Sequence, residues 1–261
     1  MNEIAWYLYP VMIVASFIAG FINTLAGSGS LITLPLLIFL GLPANIANGT
    51  NRVGILLQSI VGVSSFRQQK VLDQRGGLIL AIPAVLGSLL GAGLAIDLDA
   101  EIMRKAIGVL MVIMLGVILV KPKRWLEGRP GVTNGRPGLI QFLIFFGIGV
   151  YGGFLQAGIG IILLAGLVLS AGYDLVRANA VKLLIVLCFT PFALAVFVIG
   201  GQVEWGIGIV MGIGSMLGAW VAARMAVKRG ATFVRWLLIA VVVVSAVDFL
   251  GIFDFVVALF S

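Results

Sequence analysis

The chain carries one pattern twice. Ala26-Gly27-Ser28-Gly29 is echoed by Ala157-Gly158-Ile159-Gly160. Gly41 and Ala47-Asn48 return as Gly172 and Ala178-Asn179 at the same offset, and Gly87-Ser88-Leu89-Leu90-Gly91-Ala92 returns as Gly214-Ser215-Met216-Leu217-Gly218-Ala219. A duplicated chain must build each half from the same local structures and then join them. Lys121 to Pro137 is polar and rich in Gly and Pro, which makes it the natural junction. The organisation read here is a first repeat over 1–120, a linker over 121–137 and a second repeat over 138–261.

Of the 261 residues, 61% are hydrophobic and 10% charged, against about 25% charged in soluble domains. Apolar stretches recur from end to end without period-2 alternation. That pattern predicts an all-α polytopic membrane protein and argues against a membrane barrel. The first apolar stretch, 4–26, lacks the basic flank of a signal peptide and has a partner in mid-chain, so it reads as a structural helix. There is one cysteine, Cys188, and no histidine. A disulfide within the chain, a His-based metal site and a Ser-His-Asp triad are therefore excluded. Cys188 lies in an apolar run and reads as packing. No cofactor and no metal are expected.

Each half offers five apolar segments. They run roughly over 4–26, 29–42, 45–66, 76–96 and 101–120, then 139–157, 159–171, 175–199, 203–224 and 233–259. The second segment of each half has about 13 residues, short of the roughly 20 that a span needs. Each follows a Gly-x-Gly break. The first two segments of each half are thus expected to form a broken or re-entrant helical hairpin, followed by three spanning helices. That makes about eight to ten membrane helices in all.

The net charge of +7 does not describe a nucleic-acid face. Twelve of the 17 basic residues sit between segments, in groups at Arg67/Lys70/Arg75, Lys121/Lys123/Arg124/Arg129/Arg136 and Arg224/Lys228/Arg229/Arg235. Positive loops stay cytoplasmic. The loops with Asp97, Asp99 and Glu101 and with Glu204 then face outward. This predicts two inverted repeats in an inner membrane with both termini outside. Arg104 and Lys105 fall on the outer side and are expected at a helix start among the acidic residues.

The polar residues at membrane depth carry the chemistry. Short helices beginning near Ser28-Gly29-Ser30 and near Gly158–Gly160 would present free N–H groups and a positive dipole end, an arrangement that suits an anion. The same glycines would also serve close helix packing. Asn48, Asn51 and Arg52 share one helical face, Asn179 and Lys182 repeat that spacing, and Gln58 lies further along the first helix. A cation at membrane depth costs about 2.5–3.5 kcal/mol and has a partner or a job. No carboxylate lies nearby in sequence. The alternative is snorkelling to an interface. Gln156 and Asn23 precede the breaks and are candidates for the same cavity. Gly87/Gly91 and Gly214/Gly218 read as packing faces, and Thr190-Pro191 should kink its segment.

The glycine-rich Ala26–Ser30, Pro35 and the string Gly41-Leu42-Pro43-Ala44-Asn45-Ile46-Ala47-Asn48-Gly49-Thr50-Asn51 resemble the sulfite exporter TauE/SafE family, also called the toluene-sulfonate uptake permease family. The glycine run is shorter than in many members, and the second copy has Ala180-Val181 where the first has Gly49-Thr50. The resemblance implies an inner-membrane transporter of sulfur-containing anions such as sulfite or organosulfonates, often an exporter. It further implies that the hairpins and the Gly49-Thr50 region line the path. The expected partners are a small anion and the bilayer, with a homodimer open. A carrier of another small anion such as a carboxylate, or a non-transporting assembly subunit, are the other readings of the same residues. Asp248 and Asp254 are the only carboxylates in or near a span that would carry protons.

Overall fold

In a bilayer core only a closed hydrogen-bonded backbone is tolerated, so apolar stretches of this length become helices. The computed structural model describes residues 8–119 and 138–249, and those residues are helical with no strand. The helices are α1 Leu8–Ala26, α2 Ser30–Phe39, α3 Ala44–Gln68, α4 Gln74–Ile96, α5 Ala100–Leu119, α6 Leu139–Phe154, α7 Ile159–Leu169, α8 Leu175–Ile199 and α9 Trp205–Phe249. Among the described residues four stretches are long and apolar enough to cross a membrane: α1, α4, α8 and the first arm of α9, Trp205–Gly230. The chain is a multi-pass membrane protein. α3 is equally long at 25 residues, but its amides and Arg52 keep it off that group.

The expected elements appear. The basic group Arg224–Arg235 straddles a tight break at Gly230, whose φ is 74°, which parts α9 into two helical arms in place of an extended loop. Arg224 lies over the Trp220 ring at 4.0 Å and Arg229 over Phe233 at 5.3 Å, so aromatic faces hold the cations beside the break. The side chain of Arg235 and the linker cations Lys121 to Arg136 lie outside the described residues. α8 carries Pro191 within its helical span.

Both short segments are second arms of hairpins. Met12 near the start of α1 packs with Leu37 near the end of α2. Gln141 at the start of α6 donates to the Ser170 carbonyl just past α7, at 2.7 Å. The loops sort by charge. Tyr173 donates to Asp73 at 2.7 Å, which brings the α7–α8 turn beside the basic α3–α4 turn. Burial and the Asp73 carboxylate push the Tyr173 hydroxyl up, so it stays a donor. Gln202 donates to the Ile96 carbonyl at 3.0 Å, joining the Glu204 loop to the acidic α4–α5 turn. There Lys105 pairs with Glu101 at 2.7 Å, as expected for a helix start.

The halves are joined by exchange. α1 packs along α9 and α6 along α4, while α3 packs on α9, α8 on α4, and α3 on α8. Each hairpin therefore lies against the fourth helix of the other half. Backbone meets backbone at these seams. A Cβ on Gly87 or Gly91 would collide with α6 at Phe146 and Val150, and one on Gly149 or Gly153 with α4 at Ala84 and Ser88. Gly214 and Gly218 meet Ile13 and Phe17 of α1 in the same way. In lipid, helix association draws on such packing more than on apolar burial.

Gly91→Ala and Gly153→Ala should each lower the melting temperature of the detergent-solubilised protein, at a cost of about 1–3 kcal/mol for overpacking. Gly93 has nothing within 4 Å of a built Cβ, so Gly93→Ala should be neutral or slightly stabilising. Equal behaviour of all three would contradict the seam.

Candidate functional site

A helix that stops at membrane depth leaves its last carbonyls and the next helix's first N–H groups without partners. The chain makes two such stops, and they touch. Gly27 has φ 80° and Gly158 φ 67°, conformations that cost an L side chain roughly 1–2 kcal/mol. A Cβ on Gly27 would also strike the Gly160 backbone. Ser30 ties the two tips together: its hydroxyl donates to the Gln156 carbonyl at 3.2 Å and accepts from Gly158 N–H at 3.1 Å.

The loose carbonyls are taken up by the two buried cations, each acting on the other half. Arg52 on α3 donates to the carbonyls of Gly152 at 2.9 Å and Gly153 at 2.5 Å, and to Gln156 Oε1 at 3.2 Å. Asn48 donates to the next carbonyl, Phe154, at 2.8 Å. Lys182 on α8 donates to the carbonyls of Asn23 at 2.8 Å and Thr24 at 2.9 Å, and to Asn179 Oδ1 at 2.7 Å. Arg52 is 0% exposed and Lys182 1%, so neither snorkels. Arg52 also lies over Phe197, 4.5 Å from the ring centroid. A cation at a helix C-terminus faces the negative end of the dipole, and burial strengthens that interaction.

The helix starts are treated differently. At the surface Asp73 accepts from Gly76 N–H at 2.9 Å, and Asp174 from Val176 and Arg177 N–H at 2.9 and 3.0 Å. In the interior α2 and α7 begin at Gly29 and Gly158, glycines that supply no cap of their own, and the Gly158 N–H is taken by Ser30 from the other half.

Two thin cavities flank the crossing. Both are narrow, about 10 Å³ each to a water-sized sphere. One is lined by residues including Asn23, Gly29, Ser30, Thr33, Asn51 and Gln58. The other is lined by residues including Ser30, Gln156, Gly160 and Lys182. They share Asn23, Ser30 and Ile55. No Asp or Glu lines either cavity, and among the described residues no carboxylate pairs with Arg52 or Lys182. Asp254 and the side chain of Asp248 lie outside the described residues.

The residues expected at the site divide accordingly. Gly29, Ser30, Asn51, Gln156, Gly160 and Lys182 line the cavities. Arg52, Asn48, Asn179 and Gly158 lie around them, committed to the hydrogen bonds above. The Ser28 hydroxyl is buried without a partner. Gly49 and Thr50 sit elsewhere: Gly49 packs against the Gln202 carbonyl, and the Thr50 hydroxyl accepts from Glu204 N–H at 2.9 Å. They dock α3 on the α8–α9 turn. Thr190, which accepts from Gln156 Nε2 at 3.0 Å, and the capped carbonyls were not foreseen. Backbone acceptors have no signature in a sequence.

A profile described as sulfite exporter TauE/SafE matches residues 12–249. The chain belongs to the sulfite exporter TauE/SafE family. It is 30% identical to a probable membrane transporter protein, ORF9, of a Sinorhizobium species, over 96% of this chain and 95% of that protein. It is 31% identical to a probable membrane transporter protein of Haemophilus influenzae, over 87% of this chain and 89% of that one. The probable membrane transporter protein YfcA of Escherichia coli K12 is 30% identical over 92% of this chain and 87% of its own length. No solved structure matches the chain. This TauE/SafE member is thus a membrane transporter, and the crossing of its two broken hairpins is the candidate site.

Removing Arg52 should leave the Gly152 and Gly153 carbonyls short of a donor, and removing Lys182 the Thr24 carbonyl (Asn23 keeps the Gly27 N–H), at a cost of roughly 1–3 kcal/mol per orphaned group. Lys182→Met and Arg52→Gln should both melt well below wild type in detergent, and Arg52→Lys should recover part of the loss. Wild-type melting in Lys182→Met would contradict the capping role.

Proposed function

We propose that this protein is a secondary carrier of small sulfur oxyanions such as sulfite or an organosulfonate, working as an exporter by alternating access between two inverted repeats. The observation that carries the reading is a charge balance. At each break a helix C-terminus and a helix N-terminus meet, and their partial charges of about −0.5 and +0.5 cancel. Arg52 and Lys182 then stand as two full charges with no carboxylate partner among the described residues. Such a centre favours a mobile anion. The family to which the chain belongs supplies the sulfur.

The exchanged packing supports the inverted arrangement. The open end of the first hairpin lies with the acidic loops and that of the second with the basic loops. With basic loops inside, the first hairpin re-enters from outside and the second from the cytoplasm of an inner-membrane protein, and both termini are external. Tips that meet at the midplane give a site that each hairpin can open toward its own side.

Purified protein in proteoliposomes should take up radiolabelled sulfite, and excess ethanesulfonate should compete better than propionate. Uptake no faster than in empty liposomes, or competition by propionate alone, would overturn the substrate class.

A further inference from the structure

Lys182 has no hydrogen left for a substrate: its three N–H bonds go to the carbonyls of Asn23 and Thr24 and to Asn179. Ser30, Asn48, Gln156 and Asn179 are similarly committed. Arg52 Nε and the Ser28 hydroxyl are buried without a partner, but neither residue lines the cavity that holds two further unpaired donors. Asn51 Nδ2 and Gln58 Nε2 are buried with no acceptor, although the residues are only 4% and 2% exposed. Their oxygens are already in use. Asn51 Oδ1 accepts from Thr33 Oγ1 at 2.6 Å and Gln58 Oε1 from Asn23 Nδ2 at 3.2 Å, and these bonds orient both amides with their NH₂ groups free. Both residues line the first of the two cavities. A buried donor left without an acceptor costs about 1–3 kcal/mol, so two in one cavity point to a ligand rich in acceptors.

Gly54 lies between them on the same helical face and also lines this cavity. Unlike the seam glycines, it is not held small by packing. A Cβ there would meet its nearest atom, Gly212 N, at an ordinary 3.8 Å. Its missing side chain therefore leaves room between the two amides without being required by a neighbouring backbone.

We infer that the cavity lined by Asn51 and Gln58 is the oxygen seat of the transported anion, in which these neutral amides donate to its oxygens across the open floor at Gly54. Arg52 and Lys182 supply charge from behind the wall, Lys182 through the residue whose side chain holds Gln58, Asn23. The donor pair belongs to the first half alone, although Met211 and Ser215 of α9 also line the cavity. At the repeat offset that carries Asn48 to Asn179, Gln58 corresponds to Phe189 and Asn51 to Lys182. The anion thus binds to one side of the crossing, on α3, and its oxygens are read by neutral donors. Sulfite and sulfonates carry several acceptor oxygens and can accept from both amides.

This inference rests on the anion-carrier reading, and one experiment separates the two. Equilibrium binding of radiolabelled sulfite to purified wild type, Gln58→Leu and Gly54→Ala, each with its melting temperature, is the test. Gly54→Ala replaces a helical glycine without collision, so it should melt at or above wild type. Wild-type binding that weakens about tenfold or more in both variants, the loss of roughly one good hydrogen bond, with Gly54→Ala still folded, supports the seat. Wild-type binding that both variants retain overturns the seat and leaves the carrier reading in place. No binding of sulfite by wild type overturns the carrier reading and the seat with it.

Discussion

A helix cannot end inside a bilayer without leaving carbonyls that water cannot reach. This chain ends two helices in its buried interior. The structure depends on how those ends are satisfied: the terminal carbonyls of α1 are held by Lys182 of the second half, and those of α6 by Arg52 and Asn48 of the first. Neither half could hold its own hairpin in this way. The exchange explains why the hairpins pack on the opposite half, why glycines line both seams, and why Gly27 and Gly160 meet backbone to backbone.

The same arrangement sets up the chemistry. Capping by carbonyls rather than carboxylates leaves the cations' charge unspent, because the dipole ends at each break cancel in pairs. The interior helix starts lack a cap from their own N-cap residue, whereas those at the surface are closed by Asp73 and Asp174. In the proposed mechanism, structure and function divide between charge and hydrogen bonds. The cations spend most of their donors on protein carbonyls and amides and would lend their charge to the cavities. The neutral amides of α3 keep donors to spare.

Much of this is legible in the residues. The Gly-x-Gly breaks and the short segments after them locate both hairpins, because a helix of about 13 residues cannot cross. The span 175–199 coincides with α8. Asn48, Arg52, Asn179 and Lys182 stand out as polar groups at depth, and they do converge. Their partners are hidden, because Gly152, Gly153, Asn23 and Thr24 contribute only carbonyls, which every residue has. The sequence pattern accordingly reads both cations as unpartnered, when their hydrogen bonds are in use. Gly49 and Thr50 belong to the motif that carries the family resemblance, yet they anchor a loop; a motif records that a position matters without recording what it touches. The basic group at 224–235 does mark a boundary, but it is a single tight break at Gly230 with helix on either side, not an extended loop.

The central claim is that an uncompensated positive centre lies where the hairpins cross. It is tested most directly by the charge of the ligand, with shape held nearly constant. Purified protein should be melted in the presence of methanesulfonate and, separately, of dimethyl sulfone, which presents sulfur-bound oxygens without the charge. Stabilisation by the sulfonate, rising with its concentration and absent with the sulfone, is the predicted result. Equal stabilisation by both, or by neither, would contradict the account.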